Sequence, residues 1–291
     1  MLKIKNVSKS FNDNKVLDNL SLTVKNSSIF GLVGINGAGK STLLRCVAGI
    51  YQVDNGEVKF NDFNTYSDVN IRKDIFFVND DTYFPFASTI NSLKQFYSSF
   101  YKLDEDILNK TISLFNLDVD KPISSFSKGM KRQTLLAFAF AIKPKLLLLD
   151  EAFDGLDPLV RYKLKNVISG YIEDSDSIII ISSHNLKELE DICDSYGILE
   201  NGQINTYGDL LDSKLLINKY QLAFKNEIDE TKLNDFEILY QSKQGSVYSL
   251  VIKGEKEETM KKLKKLKPVI LDSLPVNFEE LFIYEYQGGN K

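Results

Sequence analysis

Ile29-Phe30-Gly31-Leu32-Val33 runs directly into Gly34-Ile35-Asn36-Gly37-Ala38-Gly39-Lys40-Ser41-Thr42, and the apolar pair Leu43-Leu44 follows. An apolar strand, a glycine-rich turn closed by Lys-Ser and the start of a helix make up the phosphate-binding pattern G-x-x-x-x-G-K-S. Each residue type answers a chemical need. Gly34, Gly37 and Gly39 are expected to turn the backbone at positive φ and bring its N–H groups onto phosphate oxygens. A helix beginning near Lys40 adds the positive end of its dipole. Lys40 supplies a point charge for the β- and γ-phosphates, and Ser41 offers a hydroxyl to Mg²⁺. The stretch predicts a chain that binds a nucleoside triphosphate.

Outward from this loop, the whole chain is consistent with an ordinary globular protein. Its 291 residues suffice for one large domain or two smaller ones, and 43% of them are hydrophobic. The 36 basic and 40 acidic residues leave a net charge of −4, so no global field draws the chain to nucleic acid or an anionic membrane. Cys46 and Cys193 lie far apart, as expected of reduced thiols in a cytoplasmic protein. The start, Met1-Leu2-Lys3-Ile4-Lys5-Asn6, alternates like a strand and lacks the apolar core of a signal peptide. The longest apolar runs, Leu135 to Ile142 and Leu146 to Leu149, fall well short of the ~20 residues that span a bilayer. A membrane role would have to come through a partner.

Strand patterns dominate residues 1 to 33 and recur at Gly56 to Phe60, Ile75 to Val78, Lys145 to Asp150 and Ser177 to Ser182. Between them, residues 88 to 142 carry helical periodicity and read as a helical insertion. The P-loop helix is expected to stop at Gly49, and Asp157-Pro158 to open another helix. Strands alternating with helices predict a mainly parallel α/β core. After Gly208 to Ser213 the character changes. A strand near Tyr220, a hairpin from Ile238 to Ile252, a Lys-rich helix and Pro268 to Leu271 follow, with a capping pattern at Asn277 to Glu280. These predict a small α+β appendage.

Two further stretches carry chemistry. Leu146-Leu147-Leu148-Leu149-Asp150-Glu151 is a buried strand ending in two acids, at the sheet edge where α/β folds bind ligands. Asp150 would hold Mg²⁺ directly or through water, and Glu151 would polarise the attacking water. A solvated acidic turn is the plainer reading of this pattern alone; the P-loop upstream favours the chemical one. Phe126-Ser127-Lys128-Gly129-Met130-Lys131-Arg132-Gln133 precedes an apolar helix. By itself it is a capped helix start, but its distance from Asp150 suggests an anion site at a helix N-terminus.

In the order P-loop, Ser127 to Gln133, Leu146 to Glu151, Gly155-Leu156-Asp157 and Ser183-His184, the chain resembles the nucleotide-binding subunit of an ATP-binding cassette (ABC) transporter over roughly residues 1 to 210. The resemblance implies a RecA-like P-loop core with an antiparallel β subdomain and a helical insertion, the last at about residues 85 to 143. The appendage would take residues 214 to 291. It also implies an ATPase that works as a head-to-tail homodimer or heterodimer, with two ATPs and Mg²⁺ at the interface. Permease subunits would hold it peripherally on the cytoplasmic face of the membrane, in an exporter, with no part for nucleic acid. Phe11 would stack on adenine with Val16 beside it, or else end a strand as a core residue. Ser127 and Gly129 would reach the γ-phosphate bound by the opposite subunit. Asp157 would link the two sites, cap its own helix, or do both. His184, the only histidine, would contact the γ-phosphate and orient the water.

This sequence departs from the family pattern at two places. The usual signature is Leu-Ser-Gly-Gly-Gln, and here Lys128 and Met130 flank Gly129 as in some bacterial exporter ATPases. Asp80 stands where a Gln normally reaches Mg²⁺; it is either a metal ligand or part of a solvated acidic loop, with Asp81 as the competing assignment. The following Tyr83-Phe84-Pro85-Phe86 is expected to contribute partly to the core and partly to a surface for the membrane partner. The basic run from Lys261 to Lys267, with Met260, Leu263 and Leu266 three apart, reads as a solvated helix face. A DNA- or ribosome-acting cassette would bring long coiled-coil insertions or a second cassette, and a GTPase would bring an Asn-Lys-x-Asp motif. The sequence has none of these, and a regulatory protein that binds ATP without turnover stays as the alternative, with Glu151 speaking against it.

Overall fold

In its computed structural model the chain is described at residues 1–81, 83–173, 175–209, 216–225, 230–276 and 280. It divides into two compact units, Met1–Tyr207 and Gly208–Lys291.

In the first unit, parallel strands buried on both faces set the frame. The runs that form β3 (Ser28–Val33), β7 (Leu146–Asp150) and β8 (Ile178–Ser183) are almost wholly buried, as continuous apolar strands of a covered parallel sheet should be. With β6 (Ile75–Val78), β9 (Ser195–Glu200) and β10 (Gln203–Asp209) they make a six-stranded sheet in the order β10-β9-β3-β8-β7-β6. Parallel pairing joins β9 to β3, β3 to β8, β8 to β7 and β7 to β6. The register decides where the chemistry sits. Val33 pairs with Ser183 and Asp150 with Ser182, so β3, β7 and β8 end level with one another. The segments that follow them, and the one after β6, therefore emerge along one edge.

An antiparallel sheet in the order β2-β1-β4-β5 packs beside this core, built from β1 (Leu2–Phe11), β2 (Asn14–Val24), β4 (Asn55–Phe60) and β5 (Phe63–Asn64). Alternation in β1 and β2 is interrupted where Asn6 and Asn19 take positive φ, 51° and 52°, and the register shifts between Ile4 and Val7. These bulges let Leu2, Ile4, Val7, Leu17, Leu20 and Leu22 all reach the common core.

Helix α1 (Lys40–Val47) grows out of the glycine-rich loop. Its C-cap is Ala48, with Gly49 one residue beyond at φ 70°. Polar side chains start the other helices. Thr89 caps α2 (Ile90–Ser98), Asp104 α3 (Glu105–Phe115), Ser127 α4 (Lys128–Ile142) and Asn185 the short α6 (Leu186–Leu189). Asp157 accepts a hydrogen bond from the Val160 N–H at the start of α5 (Pro158–Glu173). Buried almost all round from Arg132 to Ile142, α4 packs against α3 and β6. Both cysteines are buried free thiols.

The second unit has its own sheet, in the order β12-β13-β11-β14, formed by β11 (Ile217–Ala223), β12 (Glu237–Gln244), β13 (Val247–Lys253) and β14 (Ile270–Leu274). Helix α7 (Lys256–Lys265) buries Leu263 in a core with Tyr220, Leu222, Leu250 and Ile252, while its lysines stay exposed. The helix-capping pattern expected at Asn277 and the break expected at residues 210–213 lie outside the described residues, as does Thr82.

Candidate functional site

The glycine-rich loop forms one wall of a cleft of about 260 Å³, lined by Val16, Asn36, Gly37, Gly39, Lys40, Ser41, Thr42, Asp80 and Glu151. Gly37 and Gly39 hold φ values of 84° and 105°, which turn the chain into α1. Gly34 does not share that conformation, contrary to the sequence reading. Its constraint is space, because a Cβ there would lie 2.6 Å from the carbonyl oxygen of Leu199. Ala38 is half-buried and packs on the core below the loop. The buried Lys40 Nζ donates to the Gly34 carbonyl at 2.7 Å and lies 3.1 Å from Glu151 Oε1.

Opposite the loop stand the acids at the end of β7. Asp150 is fully buried, and its Oδ1 accepts from Ser182 Oγ at 2.6 Å on the neighbouring strand. Its Oδ2 is buried without a hydrogen-bond partner, an orphaned carboxylate oxygen of the kind a hard cation takes. Asp150 is not itself in the cleft lining, but it directly precedes the lining residue Glu151, and its carboxylate with the Ser41 hydroxyl of the cleft offers the oxygen donors that suit Mg²⁺. Glu151 sits at φ 48°, a conformation rare for a non-glycine residue. Hydrogen bonds hold it there: its N–H donates to the Ser182 carbonyl at 3.2 Å and to Ser182 Oγ at 3.0 Å. The result aims its carboxylate into the cleft. Oε1 faces Lys40, and Oε2 lies 2.9 Å from His184 Nδ1. Thus Lys40, Ser41 and Glu151 line the cleft from the ends of β3 and β7, and His184, after β8, reaches it through Glu151; Asp150 and His184 are not in the lining themselves.

Ser127, Gly129 and Asp157 do not line this cleft. Ser127 Oγ accepts the Met130 N–H at 3.2 Å, and a Cβ on Gly129 would meet the Gly155 carbonyl at 2.8 Å. The signature turn and the turn before α5 are therefore packed directly on each other. Phe11 is also outside the cleft lining; its ring lies edge-on to Tyr51 with centroids 5.4 Å apart, and it is 40% exposed.

The residues that sequence reasoning missed are those that hold the functional ones. Arg132 is wholly buried, and its Nη1 donates to the carbonyls of Glu151 at 2.6 Å and Asp154 at 2.7 Å. Its Nη2 reaches the Asp80 carbonyl at 3.1 Å and the Asp80 carboxylate. Lys128 Nζ lies 3.3 Å from the same Asp80 oxygen. The sequence reading makes Asp80 a metal ligand or a solvated loop residue; the structure places it in the cleft lining with Ser41 and engages its Oδ1 with two cations. Burial opposes ionisation of Asp80, but the hydrogen bonds from Arg132 and Lys128 outweigh it and hold the carboxyl below its ordinary range. A signal for Arg132 was present: it falls three, four and seven residues before the buried Leu135, Leu136 and Ala139, on the apolar face of α4. A second support joins Glu188 to Arg161 at 3.0 Å and to Ser183 Oγ at 2.8 Å, beside His184.

Comparison with known proteins shows the family. The family model described as ABC transporter matches residues 17–154. The ABC transporter ATP-binding protein YtrB of Bacillus subtilis (strain 168) is 30% identical over 295 residues, covering 100% of both chains. The methionine import ATP-binding protein MetN of Clostridium tetani (strain Massachusetts / E88) is 28% identical, covering 96% of this chain and 94% of its own. A solved ATP-binding subunit of an ABC transporter superposes with a TM-score of 0.67 at 27% identity, covering 74% of this chain and 92% of that one. Among the described residues no helix is long and apolar enough to cross a membrane.

Proposed function

The chain belongs to the family of ABC transporter ATP-binding proteins, which are ATPases, and from that premise we propose that it powers export through separate permease subunits. The observation that carries the catalytic part is one carboxylate bridging two groups: Glu151 lies 3.1 Å from Lys40 through Oε1 and 2.9 Å from His184 through Oε2. ATP enters the cleft with its phosphates on the N–H groups of residues 36 to 42 and on Lys40, which exchanges the Gly34 carbonyl and Glu151 for phosphate oxygens. Glu151, released from the lysine, accepts the proton of the attacking water. His184, bonded to the other oxygen of that carboxylate, orients the water and meets the γ-phosphate. Ser41 and Asp150 would hold Mg²⁺, which would supply positive charge against the phosphates of the nucleotide.

The signature residues fit a role across a dimer. Ser127 and Gly129 lie outside the chain's own cleft lining, and the helix they start has no acid in its first turn. They complete the site of a second nucleotide-binding subunit, identical or homologous, by offering N–H and hydroxyl groups to its γ-phosphate. Asp157 sits at the same junction, through the packing of Gly155 on Gly129. Phe11 stacks on adenine, with Val16 beside it. Closure around two ATPs moves the permease through contacts that differ between open and closed states. The chain works on the cytoplasmic face of the membrane, held there by its partner.

Export is supported by the signature Phe126-Ser127-Lys128-Gly129-Met130, which resembles that of bacterial exporter ATPases. Import is the second reading, favoured by the similarity to the methionine import protein over 96% of this chain. Co-expression of the tagged chain with membrane proteins encoded beside it, followed by reconstitution into vesicles, tests both. The reading expects a polytopic protein to co-purify and ATPase activity to rise on assembly, with cargo moving away from the ATP-facing side. Movement toward that side supports import, and ATPase activity stimulated by DNA or ribosomes in the absence of any membrane partner contradicts both.

A further inference from the structure

Arg132 carries a full positive charge into a place with no solvent exposure, at the junction of three segments. Its Nη1 grips both ends of the turn after β7, the carbonyls of Glu151 and Asp154, while the Asp154 N–H donates back to the Glu151 carbonyl at 3.0 Å. Carbonyl dipoles alone do not neutralise a buried guanidinium. The described residue that does so is Asp80, which Arg132 Nη2 meets through both the main-chain oxygen and the carboxylate. Lys128, next to Ser127, adds a second cation to the same oxygen at 3.3 Å. A single carboxylate thus joins the loop after β6 to the signature helix and, through Arg132, to the main chain of the residue with φ 48°.

We propose that Asp80 and Arg132 are a positioning pair: the loop after β6, through Arg132, holds the main chain of Glu151 in place for hydrolysis, and Asp80 serves as the counter-charge of Arg132 in place of a metal ligand. The proposal rests on the reading of Glu151 as the base. It accounts for an acid at a position where the family pattern has an amide, because an amide offers no charge to a buried arginine. It also accounts for the fold of the turn, since a residue at positive φ stays there only where its surroundings over-determine it.

The test uses the full-length chain with Asp80→Asn, which keeps the shape and removes the charge, Arg132→Lys, and the two combined. Asp80→Asn should lower kcat on the order of 10²-fold, the cost of a small misplacement of a catalytic group, and leave the KM for ATP within about twofold. Hydrogen exchange at the amides of 151–155 should quicken, and the affinity for Mn²⁺ in the presence of ATP, read by electron paramagnetic resonance, should not change. The double variant should be no slower than Arg132→Lys alone, because both changes break one contact. Weakened Mn²⁺ binding with kcat restored at excess metal would make Asp80 a metal ligand and overturn the proposal. Unchanged kcat and exchange would overturn it too. If Arg132→Lys does not fold, Asp80→Asn alone still decides, since that side chain is 42% exposed. Glu151→Gln run alongside separates the two levels: wild-type turnover there removes the base itself, whereas a dead Glu151→Gln beside an indifferent Asp80→Asn removes only the pair.

Discussion

At the scale of single residues, charge placement in the cleft governs what each substitution should do. Lys40 is the cation lining the phosphate cleft, and it is held by the Gly34 carbonyl and Glu151 without supporting the core. Lys40→Ala should therefore weaken ATP binding by at least ~100-fold while leaving the fold intact. Equilibrium titration beside circular dichroism checks this, and full affinity in a folded variant would remove Lys40 from the phosphate site. Asp80 gives a pH signature. Arg132 and Lys128 hold its carboxyl below the ordinary value near ~3.9, so its stabilising effect is fully present above that value. The effect is lost as pH falls through the lower folded-state value. Denaturant midpoints of wild type and Asp80→Asn should differ at pH 6 and converge in strong acid; a gap that persists there would mean that the charge is not what stabilises. The catalytic residues were legible because their chemistry is written in local spacing, as in Lys40-Ser41 and Asp150-Glu151. Arg132, Ser182 and Glu188 were not, because their roles are contacts between residues made adjacent by the fold: Arg132 meets Asp80 across 52 positions and Ser182 meets Asp150 across 32.

Elements obey local rules more visibly. The parallel strands were readable as apolar runs, and two helix starts as Ser127 and Asp157, whereas the caps Thr89 and Asp104 came only with the structure. The bulges at Asn6 and Asn19 were not, since only the shared core of β1 and β2 forces them. Gly34 was misread for a related reason: a strand distant in sequence, through Leu199, sets its need for a bare Cα. Gly49 combines both demands, with φ at 70° and a would-be Cβ 2.1 Å from the Thr65 carbonyl. Gly49→Ala should cost on the order of 1–3 kcal/mol from backbone strain, with the overlap adding to it. Urea unfolding measures that loss, and a change below half a kcal/mol would show that the turn relaxes freely. The segment between β6 and α2 exposes Tyr83 at 86% and Phe86 at 97%, while Phe84 is half-buried. Exposed aromatic anchors of this kind are what an interface uses. Tyr83→Ala should reduce co-purification with the permease and leave the ATPase activity of the isolated subunit unchanged; full transport in that variant would move the docking surface elsewhere.

For the molecule as a whole, the claim is that three strand ends brought level by one register make a site that binds ATP and cleaves it through Glu151. The alternation of strands and helices made the sheet legible, whereas the order of its strands and the level alignment of β3, β7 and β8 emerged only from pairing across distant segments. The second unit has a separate core on Leu263 and Tyr220. The most direct test is therefore the chemical state of nucleotide bound to full-length Glu151→Gln, whose amide keeps the side chain's shape and cannot take a proton. After incubation with Mg²⁺ and radiolabelled ATP, then rapid quenching, the account predicts wild-type affinity with the bound nucleotide still ATP and turnover at least ~100-fold slower. Recovery of ADP at the wild-type rate would contradict it.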